Sequence, residues 1–128
     1  KAYMEEEIQS DLPIPDNSPT GVTSEIVVNS GNESVTSIDV KLSITHTYVG
    51  DIHITLTAPS GTEYPVRSGI GGSADNINET VSVAVNETVN GAWTLKVEDR
   101  ASQDTGTINL WGLSLKRVEC DAAKLTAL

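Results

Sequence analysis

The chain has 128 residues, enough for one domain with its own core. Eighteen acidic and eight basic residues give a formal net charge of −10, which repels a phosphate backbone, so nucleic-acid binding is not expected. The sequence contains no apolar run of about 18 residues, so we expect no membrane insertion. A single cysteine forms no internal disulfide, which argues against the small disulfide-rich extracellular scaffolds.

The beginning of the chain differs in composition from the rest. Residues 1–13 are charged and proline-bearing, and we expect a linker from an upstream region. We find no signal peptide in this segment, and we interpret the chain as a fragment of a longer precursor. The domain itself is predicted over residues 14–118, and residues 119–128 are predicted to form a tail.

Apolar and polar residues alternate through the middle of the chain. The clearest run has six residues of one parity: Ile38, Val40, Leu42, Ile44, His46 and Tyr48. This alternation predicts a half-buried antiparallel strand. Shorter alternating sets follow at 52–57, 81–85 and 93–97. A short edge strand is predicted at Tyr64-Pro65-Val66, because proline donates no hydrogen bond to a neighbouring strand.

The last strand changes parity. Ile108 and Leu110 share one parity, whereas Trp111 and Leu113 take the other. A strand does not change faces without a cause, so a β-bulge is predicted near Trp111-Gly112. With about eight short, mostly antiparallel strands and no helical period, the sequence predicts an all-β sandwich or jelly roll.

The two histidines do not suit catalysis. His46 lies on the apolar face of its strand, where we interpret it as a hydrogen-bonded core residue, and His53 lies on a polar face. The sequence has neither a Gly-x-Ser-x-Gly elbow nor a His-Glu-x-x-His zinc motif. We therefore expect that this chain is not itself an enzyme.

Acidic loop residues are the candidate metal ligands. Asp99 and Asp104 lie five positions apart on a polar loop, and their carboxylates can converge on one calcium ion. Asp51 follows a turn glycine, and Asp16 lies in another loop. The alternative is that these aspartates only stabilise their loops through side-chain to backbone hydrogen bonds.

Several blocks of sequence resemble the P domain, also called P/homo B, of proprotein convertases and bacterial secreted proteases. The blocks are Ile14–Asp16, Ile44–Ile52, Leu56–Thr62, the Gly71-Gly72 loop with Asn76, Asn90–Asp99 and Asp104–Leu113. They occur in the order of the family and extend over roughly residues 14–117.

The resemblance implies a jelly-roll-like β-sandwich on the C-terminal side of a secreted protease, of the subtilisin/kexin-like serine class or a metalloprotease. It implies a non-catalytic module that assists folding, stability and regulation of the catalytic domain in the same precursor. That role predicts an apolar contact patch for the catalytic domain. The resemblance also favours calcium at Asp51, Asp99 and Asp104, with Asp16 as a further contributor. A substrate-targeting module that binds protein or polysaccharide is the alternative function, which the scarcity of aromatic residues disfavours.

Overall fold

The computed structural model describes residues 3–29, 34–101 and 106–116. Eight strands run through these ranges: β1 (Tyr3–Ile14), β2 (Ser18–Val28), β3 (Ser34–His46), β4 (Ile52–Thr57), β5 (Glu63–Ser68), β6 (Ile77–Thr88), β7 (Gly91–Asp99) and β8 (Gly106–Lys116). A short 3₁₀ helix, Val49–Asp51, connects β3 to β4. Within the described ranges, no helix has the length and apolar character needed to span a bilayer.

The strands form two four-stranded antiparallel sheets. The front sheet has the order β1-β8-β3-β6, and the back sheet has the order β2-β7-β4-β5. Most neighbours in a sheet come from distant parts of the chain, as in a jelly roll. The prediction of an all-β, jelly-roll-like sandwich of about eight strands is confirmed, and β5 with its proline is an edge strand as predicted.

The core lies between the sheets and is filled by the inward-facing residues of the alternating strands. Trp93 from the back sheet and Trp111 from the front sheet are both fully buried there. Each indole N–H has an acceptor, because a buried donor without a partner is costly. Trp93 Nε1 donates to the Val89 carbonyl (2.9 Å), and Trp111 Nε1 donates to Ser24 Oγ in the opposite sheet (2.8 Å).

The N-terminal segment forms a strand where we expected a linker. Residues 3–13 belong to β1, which pairs with β8 from Tyr3↔Lys116 to Ile14↔Gly106. An edge strand with one solvated face accommodates charged side chains, so a charged composition does not exclude a strand. The proposed domain end at 118 and the tail over 119–128 lie outside the described residues and stay predictions.

The β-bulge of the last strand lies at Asn109, two residues before the predicted position at Trp111-Gly112. The pairing changes from Ser43↔Leu110 to Ile44↔Ile108, so β8 carries one extra residue opposite β3. This extra residue allows both Ile108 and Trp111 to face the core despite their different parity.

Strand β3 ends two residues earlier than the alternation predicts. The last buried residue of the run within the strand is His46. Tyr48 follows after the strand has ended, and 40% of its surface is exposed. Residue parity therefore predicted the strand but not its end, where the backbone N–H and C=O of His46 bond to Asn76 of another loop.

Candidate functional site

One end of the sandwich contains three of the four predicted metal ligands, Asp16, Asp51 and Asp99. We call it the loop end and define it as residues 15–17, 47–51, 69–76 and 99–101. Strand pairing brings its parts together through Ser18↔Asp99, Ile52↔Asp99, Ile14↔Gly106 and His46↔Gly106. The ends or starts of six strands thus meet there.

A buried histidine–aspartate pair connects the two sheets at the loop end. His46 ends β3 in the front sheet and Asp99 ends β7 in the back sheet, and both side chains are fully buried. His46 Nε2 lies 2.9 Å from Asp99 Oδ2. Gly106 packs against the histidine, since a Cβ at this position would lie 2.7 Å from His46 Cδ2.

The hydrogen bonds of the pair define the tautomer of the imidazole. The Tyr48 N–H donates to His46 Nδ1 (3.0 Å), so Nδ1 carries no proton. The proton lies on Nε2 and is donated to Asp99, whose other oxygen accepts the Ala101 N–H (3.1 Å). Every polar atom of the pair has a partner, and neither side chain reaches solvent. The interpretation of His46 as a hydrogen-bonded core residue is confirmed.

The predicted metal ligands differ in burial and in hydrogen bonding. Asp99 is buried and bonded to His46, whereas Asp16 is exposed in the β1–β2 turn. Asp51 is half-buried, and its carbonyl accepts the Arg100 N–H (2.9 Å), which brings it next to the end of β7. Asp104 lies outside the described residues. The described ranges contain no group of three or more side chains arranged to hold a metal ion.

Three charged residues, Lys96, Glu98 and Arg100, form a cluster where β7 reaches the loop end. Glu98 accepts from Lys96 Nζ (3.0 Å) and from Arg100 Nη2 (2.6 Å). Burial by itself raises the pKa of Glu98, but the hydrogen bonds from Lys96 and Arg100 outweigh burial and hold that pKa below its usual range. These three residues alternate along the chain, a pattern visible in the sequence, although none of them was among the predicted site residues.

The edge strands β5 and β6 are connected by side chains rather than by backbone pairing. We call this the β5–β6 seam. Tyr64 Oη donates to Glu87, and this hydrogen bond, with burial, raises the pKa of the Tyr64 hydroxyl. Arg67 Nη1 donates to Glu79 (2.6 Å), and Arg67 Nη2 donates to the Ile70 carbonyl (2.9 Å). Sequence reasoning missed the seam because no pattern connects residues so far apart.

A shallow depression of about 550 Å³ lies on the outer face of the front sheet. It is lined by Lys41, Leu42, Ser43, Asn78, Glu79, Thr80, Asn109 and Leu110. Among these residues none is aromatic, so the depression offers no ring on which a sugar can stack. It gives no support to the alternative function of polysaccharide targeting.

The family of the chain follows from its sequence. A family model described as the proprotein convertase P-domain matches residues 35–115, more than half of the chain. The chain belongs to the proprotein convertase P-domain family. The matched range contains His46, Asp51 and Asp99, so the loop end is largely a feature of the P domain itself.

Two bacterial relatives show how much of a longer protein this P domain represents. It is 43% identical over 108 residues to leupeptin-inactivating enzyme 1 of Streptomyces exfoliatus, covering 82% of this chain and 24% of the relative. It is 42% identical over 103 residues to the transglutaminase-activating metalloprotease of Streptomyces mobaraensis, covering 79% of this chain and 13% of the relative. The chain therefore spans a quarter or less of these relatives.

The names of two further relatives refer to calcium and to a location outside the cell. A calcium-dependent protease of Trichormus variabilis is 33% identical over 91 residues, covering 58% of this chain and 13% of the relative. An extracellular basic protease of Dichelobacter nodosus is 39% identical over 97 residues, covering 73% of this chain and 16% of the relative.

The fold is similar to part of a solved protease structure. A structure of the Aeromonas sobria serine protease in complex with its chaperone matches with a TM-score of 0.74 and 16% identity. The match covers 90% of this chain and 27% of that chain. At this identity, the likeness shows a shared fold.

Proposed function

We propose that this P domain is the non-catalytic, C-terminal accessory module of a secreted protease. It assists the folding, stability and regulation of the catalytic domain in the same precursor. The observation that carries the proposal is the match at 42% identity to a metalloprotease of which the chain covers only 13%. The match to leupeptin-inactivating enzyme 1, at 43% identity over 24% of that relative, likewise supports a domain within a longer enzyme. The burial of the His46–Asp99 pair supports a structural role for it, because a catalytic base must reach its substrate.

The names of the relatives support two finer proposals. Of the two parent classes, a metalloprotease has the stronger support, since a relative with that name is 42% identical. The serine protease match has 16% identity and concerns the fold alone. Secretion is supported by the relative that is named an extracellular protease.

Removal of the domain from the full-length precursor tests the accessory role. We expect that a precursor without residues 3–116 gives a lower yield of secreted protease and a lower melting midpoint of the catalytic domain. Supplying the P domain as a separate chain is the control for a folding effect. Unchanged yield and midpoint would contradict the proposal.

We further propose that calcium binds at the loop end. The name of the Trichormus relative supports this, as does the position of Asp16 and Asp51 at the same end of the sandwich. Carboxylate oxygens are the ligands that calcium prefers. The oxygens of Asp99 already accept hydrogen bonds from His46 and Ala101. The proposed ligands are Asp51, Asp99 and Asp104, with Asp16 as a further contributor, and the two hydrogen bonds of Asp99 fix the position of its carboxylate at the loop end.

Thermal melting with and without a chelator tests calcium binding. An ion that binds only the folded state stabilises it by about 2.7 kcal/mol at 100 times its dissociation constant. We expect Asp51→Asn to abolish this gain, and Glu25→Gln, an exposed acid on β2, to preserve it. If the wild-type midpoint does not change on chelation, the calcium proposal is wrong.

A further inference from the structure

Arg67, in the β5–β6 seam, is the one buried lysine or arginine among the side chains that the structure describes. Only 8% of its side chain is exposed, whereas its counter-ion Glu79 is 42% exposed. The Nε atom of Arg67 is buried and has no hydrogen-bond partner within the described residues. Removing a cation from water without full compensation is costly, so such an ion pair is weak evidence for stabilisation. The burial of Arg67 therefore calls for a role other than stability.

The guanidinium of Arg67 also reaches the glycine-rich loop that follows β5. Its Nη2 donates to the Ile70 carbonyl (2.9 Å). Gly71 lies between Arg67 and the buried Val49, since a Cβ on this glycine would lie 2.9 Å from Arg67 Nη2 and 2.7 Å from Val49 Cγ2. Because this loop is part of the loop end, Arg67 connects the seam to the region of the predicted metal ligands.

The glycine-rich loop in turn holds the 3₁₀ helix that precedes β4. The Val49 N–H donates to the Ala74 carbonyl (3.0 Å), and this bond fixes the start of the helix. The Gly50 N–H donates to the Gly72 carbonyl (2.8 Å). Asp51, a proposed calcium ligand, is the last residue of the same short helix. A displacement of the glycine-rich loop would therefore displace Asp51.

We infer that Arg67 is a positioning residue for the proposed calcium site. It connects Glu79 of β6 to the glycine-rich loop and thereby fixes Asp51 at the loop end. This role rests on the proposed calcium binding and adds to it a residue that cannot be a ligand, because a guanidinium has no acceptor atom. Substitution of residues that orient metal ligands typically weakens metal binding by about 10- to 100-fold.

Calcium titration of Arg67→Met in the 128-residue chain tests the positioning role. We expect the calcium dissociation constant, measured by calorimetry, to rise by about 10- to 100-fold. Tyr64→Phe is the matched control, because it also removes one bond of the seam, but this bond goes to Glu87 and not to the glycine-rich loop. Its dissociation constant should equal that of the wild type.

Amide hydrogen exchange with chelator present measures the position of the loop without calcium. We expect the amides of Val49 and Gly50 to exchange several-fold faster in Arg67→Met than in the wild type, because their acceptors lie in the loop that Arg67 contacts. The amide of Leu95, at the centre of β7, should keep its rate. A general loss of stability would instead accelerate all three amides.

Arg67→Lys is a second variant that keeps a positive charge opposite Glu79. A lysine lacks the planar fork that bonds to Glu79 and to the Ile70 carbonyl at the same time. We therefore expect it to weaken calcium binding in the same direction as Arg67→Met. Calcium binding as tight as in the wild type would mean that the charge alone, and not the contact with the loop, is what matters.

Titration and exchange together distinguish the calcium proposal from the positioning role. If the wild type binds no calcium, the calcium proposal is wrong, and the exchange of Val49 and Gly50 alone decides whether Arg67 positions the loop end. If the wild type binds calcium and Arg67→Met binds it equally tightly, the calcium proposal stands and the positioning role is wrong. Exchange of Val49 and Gly50 no faster in Arg67→Met than in Tyr64→Phe would also overturn the positioning role.

Discussion

At the scale of single residues, the Asp99 carboxylate satisfies two hydrogen-bond donors at the loop end. Its carboxylate accepts from His46 Nε2 and from the Ala101 N–H. The Asp99→Ala substitution leaves both donors without a partner, and one of them is fully buried. Each such loss costs about 1–3 kcal/mol, so we expect a decrease of about 2–4 kcal/mol in the free energy of unfolding, measured with urea.

Exposed acids provide the comparison for Asp99. Glu25→Ala removes a carboxylate of similar charge from the surface of β2, and such surface changes usually stay within about 0.5 kcal/mol. A loss at Asp99 no larger than that at Glu25 would mean that the buried pair does not stabilise the sandwich.

Glu98 makes the stability of the domain depend on pH at the acid end. Its pKa in the folded chain is lowered, although burial opposes this, because Lys96 and Arg100 bond to the carboxylate. A lowered folded pKa contributes stability above the pKa of the unfolded chain, and this contribution is lost as the pH falls through the folded pKa. We expect the loss of stability between pH 7 and pH 3 to be smaller in Glu98→Gln than in the wild type.

Urea unfolding at pH 7 and at pH 3 measures the loss of stability between the two pH values, for the wild type and for Glu98→Gln. Glu25→Gln is the control, since it also removes one acidic residue but lies on the exposed surface of β2, away from Lys96 and Arg100. An equal loss of stability in Glu98→Gln and the wild type would show that the bonds to Lys96 and Arg100 do not favour the ionised carboxylate in solution.

At the scale of elements, removal of β1 tests where the folded unit begins. The family model matches residues 35–115, which leaves out both β1 and β2, yet each of these strands completes one of the sheets. A chain without residues 1–13 exposes the edge of β8 and loses the packing of Leu12 against the core. We expect its free energy of unfolding to fall by about 3 kcal/mol.

If residues 1–13 formed a linker, the same deletion would leave the free energy of unfolding unchanged. A linker can be removed without effect, whereas an edge strand cannot. The control is a chain that lacks only residues 1 and 2, which lie upstream of β1. Equal urea midpoints for the two shortened chains would mean that β1 does not contribute to the folded domain.

The sequence predicted those elements whose side chains alternate. β3, β4 and β7 each bury one face, so their periodicity is visible directly in the sequence. β1 was missed because its charged residues belong to an edge strand, where charge is compatible with a sheet. The bulge in β8 was expected from the change of parity, but its position at Asn109 depends on pairing with β3, which composition does not show.

The candidate site was predicted only in part, for a related reason. The carboxylates of the loops were recognised as polar turn residues, but the partner of Asp99 is His46, 53 positions away. Alternation indicated that His46 is buried without indicating what it contacts. Since β3 and β7 belong to different sheets, this bond depends on how the sheets stack, which no local pattern encodes.

At the scale of the whole molecule, the net charge of −10 should oppose folding through mutual repulsion. Dissolved salt screens this repulsion, with a Debye length of about 10 Å at 0.1 M and about 3 Å at 1 M. The described ion pairs that salt also weakens, such as Lys41–Glu7, are partly exposed and contribute little. We expect the melting midpoint to rise by about 2–4 °C between 0.01 M and 0.5 M sodium chloride, with chelator present throughout.

A variant with fewer acids separates repulsion from other effects of salt. Asp11→Asn together with Glu25→Gln removes two exposed negative charges and changes the net charge from −10 to −8. Because repulsion depends on the total charge, the rise of the midpoint with salt should be smaller in this variant, and its midpoint at low salt should be higher. A midpoint that falls with salt in the wild type would instead mean that attractive ion pairs outweigh the repulsion among the eighteen acidic residues.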